Sequence, residues 1–182
     1  MKKLSVILAA SFVILMAACA TRQAAPKPAA PRERVGVYDS RAIVIAYAGS
    51  AHFNAWLTNL KAKNEKAKAE GDEQTVKATE EEGQGRQRKM HSQGFSTAPV
   101  DDILAVIQDQ LPEIAKKAGV GPLISKWDTV ALAKHPGAEQ VDITMALVEA
   151  LKPNERQLKI IPEMLKTQPL PLEEIEKMPV DE

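Results

Sequence analysis

The chain has 182 residues, with 24 basic and 24 acidic side chains and 4% aromatic residues. That length suits one domain with short appendages, and balanced charge, 22 basic against 24 acidic residues once Lys2 and Lys3 are set aside with the leading segment, does not suggest a nucleic-acid or anionic-membrane partner held by charge. A single cysteine, Cys19, excludes an intrachain disulfide framework and a multi-cysteine metal site.

Lys2 and Lys3 precede the run Leu4 to Ala18, which is apolar apart from Ser5 and Ser11. A membrane-spanning helix takes about 20 residues, so the run is short for that role. A charged start, an apolar centre and small residues at the end make a secretory signal. Ala17 and Ala18 lead directly into Cys19. This resembles the lipobox of bacterial lipoproteins, with Met16 where leucine is commoner. The resemblance implies that residues 1–18 are removed and that the Cys19 thiol receives a diacylglyceryl group, with an amide-linked acyl chain such as palmitate beside it. Two or more acyl chains suffice for stable anchoring. Ala20, in place of an aspartate, implies the outer membrane and a protein facing the periplasm. The alternative is an ordinary secretory signal that happens to contain a cysteine.

Residues 19–33 read as a tether. Pro26, Pro28 and Pro31 stand among alanines with little apolar bulk, and such a segment extends at about 3.1 Å per residue. A domain over 34–152 follows. "RVGVYDS", residues 34–40, alternates as a strand, and "RAIVIAYA" either prolongs it or begins a buried helix. Ser50 is an N-cap. After it Phe53, Trp56, Leu57 and Leu60 fall at i, i+3, i+4 and i+7, one face of a helix. They form the base of a helical arm over about 51–118 and are the candidate partner-binding residues. Beyond Leu60 the lysine-, glutamate- and alanine-rich run favours helix but lacks a heptad seam. Gly71 with Asp72 predicts a stop and a new cap, and Gly83 with Gly85 a second weak point. A helical hairpin or bent arm projecting into water results, its charge run most simply a solvated face.

An amphipathic helix is predicted over about Val100 to Ala118, with Ile103, Ile107, Leu111, Ile114 and Ala118 on one face. Pro112 should kink or split it, and Gly119 should end it. Leu123 to Trp127 and Thr129 to Ala133 read as two short strands, with "HPGAEQ" as a loop. Asp142 caps a helix that buries Ile143, Leu147 and Leu151. Asn154 caps another through Leu165, interrupted by Pro162. This C-terminal extension, 153–182, ends in a proline-rich acidic tail read as loosely packed. The predicted class is α+β: a small β body, a long interrupted helical arm and a helix-rich extension.

The stretches "AKKAGV" and "VDIT", with "VGVYDSR" in the first-strand place, resemble the Skp/OmpH family of periplasmic chaperones. The resemblance covers residues 34–60 and 100–151 as an order of elements. It implies a homotrimer whose β bodies join in a barrel and whose paired helices enclose unfolded outer-membrane proteins. The chain departs from that pattern. Gly71, Gly83, Gly85, Gly94 and Pro99 interrupt a shorter excursion, the arm lacks strong positive charge, and extra residues follow Leu151.

Among chemistry-bearing residues, Asp39, Ser40 and Arg41 at a strand end, with Asp128 after a second strand, suit a small-molecule-binding or hydrolytic site. As turn and cap residues they would instead satisfy backbone donors. His52, His91 and His135 show no ligand spacing, so no metal site or cofactor is predicted. "GQGRQRK" lacks the context of a phosphate loop, and there is no nucleophile elbow. Trp56 and Trp127 read as core anchors before binding surfaces. The functional reading is a non-enzymatic, lipid-anchored envelope protein that binds protein clients or partners. The alternatives are the site at Asp39, Arg41 and Asp128, and a structural lipoprotein that spaces envelope layers.

Overall fold

Gly36 and its neighbours decide the centre of the structure, a computed structural model that describes residues 32–175 and 177. The signal segment, Cys19 and nearly all of the tether lie outside the described residues. Strand β1 (Arg34–Tyr38) is the middle of a three-stranded sheet ordered β2-β1-β3. β2 (Leu123–Ser125) pairs with it in parallel through Gly36↔Leu123 and Val37↔Ile124. β3 (Glu139–Asp142) pairs in parallel on the other side through Arg34↔Glu139 and Gly36↔Val141. A Cβ on Gly36 would stand 2.9 Å from both Ile143 and Leu123, so only glycine lets those side chains close over the strand.

The stretch left open between strand and helix is helix α1 (Ser40–Ala48). Asp39 caps it by accepting from the Arg41 N–H, 3.1 Å. Ala42, Ile43 and Ala46 are fully buried, so α1 is covered nearly all round, and packing outweighs the modest helix propensity of its β-branched residues. The hairpin follows as predicted. Ser50 accepts from the Phe53 N–H, 3.2 Å, and opens α2 (Ala51–Glu70). Gly71, at φ 70, ends it, and Asp72 caps α3 (Glu73–Phe95). Gly83, Gly85 and Gly94 do not break α3, which runs 23 residues through them. Contact with α2 and α1 covers the cost of about 1 kcal/mol that each glycine brings. Near the tip, Asn64 donates to Thr79 Oγ1, 2.6 Å, beside buried Ala67.

The predicted helix over 100–118 is split. α4 (Asp101–Leu104) runs into a 3-10 turn, Ala105–Ile107, and α5 (Leu111–Ala118) restarts with Pro112 in its first turn, where the missing N–H has no helical partner to lose. Two short elements differ from the prediction. Thr129 to Ala133 is not a strand: Thr129–Leu132 is helix α6, capped by Asp128, which accepts from the Ala131 N–H, 2.8 Å. The third strand lies instead at Glu139–Asp142, overlapping the expected loop. β3 is a mostly exposed edge, so it shows no alternation, and its ladder to β1 creates it. β2 is shorter than predicted, ending at Ser125.

Asp142 accepts from the Thr144 N–H, 2.8 Å, and starts α7 (Thr144–Leu151), which buries Leu147 and Leu151 as predicted. Asn154 caps α8 (Glu155–Met164), which continues past Pro162 into its last turn. Ile161 of α8 is fully buried in the same core as Ile43 and Leu147. The tail is not loose as far as it is described. Leu170 donates to the Phe95 carbonyl, 2.8 Å, Ser96 Oγ donates to the Leu170 carbonyl, 2.7 Å, and α9 (Leu172–Ile175) buries Ile175. At the coarse level the fold is α+β: helices surround one small sheet.

Candidate functional site

The helical face predicted on α2 assembles as one wall of a cavity at the base of the hairpin. Phe53, Trp56, Leu57 and Leu60 are half-buried and face Gly83, Arg86, Gln87, Met90 and His91 of α3 across about 370 Å³. Phe53 stacks edge-on against Tyr47 and tilts over Trp56, both at 5.5 Å between ring centres. Trp56 is fixed further by its indole N–H, which donates to Glu82, 3.0 Å, and by the Arg86 guanidinium 5.1 Å from its ring. These contacts hold the aromatic edges in place without sealing the cavity.

A second cavity, about 500 Å³, continues along α3 and shares Met90 and His91. Its walls are Val44, Ile45 and Ala48 of α1, Gly94 and Phe95 of α3, and Ile160 and Met164 of α8. Phe95 is 52% and Ile160 41% exposed. Gly83, Gln87, Met90 and Gly94 repeat at helical spacing, so one stripe of α3 is the floor of both cavities. From Gly83 to Phe95 the floor runs about 18 Å at 1.5 Å per residue. Sequence reasoning missed Met90, His91, Phe95, Ile160 and Met164. The spacing of Gly83, Met90 and Gly94 was the available signal, and it was hidden by the surrounding charges.

Asp39 and Arg41 also meet, deep inside. Arg41 Nε donates to Asp39 Oδ1, 3.1 Å, and Nη2 to Oδ2, 2.8 Å. Lys126 Nζ lies 2.6 Å from Oδ2, and the Trp127 indole N–H donates to Oδ1, 3.3 Å. Both side chains of the Asp39–Arg41 pair are at most 2% exposed. Burial pushes the Asp39 carboxyl up, but the hydrogen bonds and charges of Arg41 and Lys126 outweigh it and hold it below its ordinary 3.8. Every carboxylate lone-pair direction is engaged, so the group ties the end of β1 to the end of β2 and is not free to take a proton from a substrate. Asp128 does not join it: that carboxylate caps α6. Ser40 is buried and its Oγ has no hydrogen-bond partner, so no base activates it. The predicted constellation of Asp39, Arg41 and Asp128 therefore does not assemble. His135 sits 2.7 Å from Glu33, His91 stacks on Phe95, and among the described residues no group of three potential ligands is placed to hold a metal ion. Compared with protein families, with curated proteins and with solved structures, the chain finds no match.

Proposed function

We propose that this chain is a lipid-anchored protein of the bacterial envelope that binds unfolded or partner proteins through the groove along α3, as a chaperone or assembly factor of Skp/OmpH type. The carrying observation is the exposed apolar groove at the base of the arm, bordered by Phe53, Trp56, Leu57 and Leu60 and continued by Phe95, Ile160 and Met164. An apolar trough about 18 Å long accepts five or six residues of extended chain at about 3.3 Å each, the form in which an unfolded β-barrel protein presents alternate apolar side chains. The order of elements supports the family reading: strand, helical excursion, two further strands, then the helix opened by Thr144. Cys19 supplies the anchor and the alanine-proline tether the reach.

The test is dilution of a urea-unfolded outer-membrane protein into buffer with and without the full chain. Light scattering from aggregates is expected to fall in its presence. Trp56→Ala with Leu60→Ala should remove the effect, and light scattering of the chain itself should give the mass of a trimer. A monomer that leaves client aggregation unchanged overturns the reading. Mass spectrometry should find a diacylglyceryl group on Cys19, and Cys19→Ala should move the protein from the membrane to the soluble fraction.

A further inference from the structure

The groove along α3 carries an open charge at one end only. Among the described residues that line its two cavities, Arg86 is the one lysine or arginine, and it belongs to the cavity at the base of the hairpin. The second cavity has a single carboxylate, Glu163, which Lys166 already answers at 2.7 Å.

Arg86 is held in place but not spent. Its guanidinium carbon stands 5.1 Å from the centre of the Trp56 ring, a stacking that steadies a planar group whose N–H donors lie at its rim. The nearest carboxylate oxygen among the described residues, Asp102 Oδ2, is 3.7 Å away, too far for a hydrogen bond. Lys89 Nζ takes that oxygen at 2.9 Å, and Asp102 Oδ1 accepts from Gln93, 2.8 Å. Glu82 accepts from the Trp56 indole N–H instead. The Arg86 side chain is 30% exposed, so a carboxylate arriving from solvent meets a partly desolvated cation with donors to give, the setting in which charge-assisted hydrogen bonds are strong.

The floor of the groove also sets a register. Arg86, Met90 and Gly94 line it at every fourth position of α3, a step of about 6 Å along the helix. Alternate residues of an extended chain point to one side and repeat at about 6.6 Å. Three same-side residues of a bound segment therefore fall opposite Arg86, Met90 and Gly94 in turn. Met90 belongs to both cavities, and Gly94 leaves the floor bare beside Phe95.

We propose that Arg86 determines which segments the groove accepts: an extended stretch with an aspartate or glutamate at one position and apolar side chains two and four residues away, the carboxylate on Arg86 and the apolar pair over Met90 and Gly94. This rests on the reading of the groove as a site for unfolded chain. An uncharged residue in the first place forgoes the guanidinium, and a lysine there is repelled by it.

The probes are dye-labelled heptapeptides, blocked at both ends, of sequence Ser-Glu-Thr-Leu-Thr-Phe-Ser, with copies that carry glutamine or lysine in place of glutamate, each also made in reversed order. They are titrated with the full chain and followed by fluorescence anisotropy. In at least one order the glutamate peptide is expected to bind about threefold to tenfold more tightly than the glutamine peptide, and the lysine peptide most weakly. The preference should shrink in about 0.5 M salt. Arg86→Gln should bring the glutamate peptide down to the glutamine level, whereas Arg86→Lys should keep part of the preference; should Arg86→Gln not fold, the lysine variant and the three peptides on the unaltered chain carry the test. Equal binding of all three peptides, or a preference for glutamate that survives Arg86→Gln, overturns the proposal and leaves the groove reading standing. No binding of any peptide in either order overturns both.

Discussion

At the scale of single residues, Asp39 and Arg41 show how side-chain type and side-chain role part company. A carboxylate and a guanidinium two positions apart at a strand end read from sequence as chemistry. In the structure they neutralise each other beneath Trp127, and Arg41 reaches on to the Thr167 carbonyl, 3.1 Å. Residue type announces charge, but whether that charge is already satisfied depends on Lys126 and Trp127, which lie far along the chain. Asp39→Asn leaves Arg41 and Lys126 without their anion. A loss of about 3–5 kcal/mol is expected, read as a lower denaturant midpoint at an unchanged slope. The pH dependence follows from the direction of the shift. The folded-state value of Asp39 lies below the ordinary 3.8, so its contribution is fully present above that value and is lost as pH falls through the lower, folded one. Asp102, held down by Lys89 and Gln93 against its burial, adds in the same sense but is only half-buried, so solvent screens its contribution. Unfolding free energy, measured by urea titration between pH 7 and pH 2, should hold steady with respect to these two groups down to about pH 5 and fall below about pH 4.

At the scale of elements, the two arm helices were legible because their signals are local. Ser50, Gly71 and Asp72 cap or stop helices by bonds to their own neighbours. α6 and β3 were not, since four residues carry too little periodicity and the ladder of β1 decides which piece becomes strand. The apolar face on α2 that lines the cavity was readable from its spacing; the opposite wall was not, because Met90 and Phe95 sit within a charged run and Ile160 enters from a helix that sequence alone leaves unattached. Glycines in α3 give a direct check. A Cβ at Gly85 meets nothing within 4 Å, so Gly85→Ala should stabilise by about 0.5–1 kcal/mol, seen as a higher thermal midpoint by circular dichroism. Gly71, left-handed at φ 70, predicts the opposite: Gly71→Ala should cost about 1 kcal/mol in the same measurement.

At the scale of the whole molecule, the C-terminal extension is part of the core. α8 packs along α1, and Ile161 is fully buried. Ile161→Ala should therefore cost about 2–5 kcal/mol, and a chain ended after Lys152 should lose its cooperative unfolding transition in calorimetry. The sheet joins distant parts of the chain as well: the Asp39 N–H donates to Thr144 Oγ1 across 105 residues. Such non-local pairings form slowly, because a long loop must close before any contact rewards it. Under the export reading that slowness is useful. A polypeptide threaded through a translocation pore has to arrive there unfolded, and a scaffold whose first strand waits for partners more than halfway down the chain stays threadable until nearly all of it has been made.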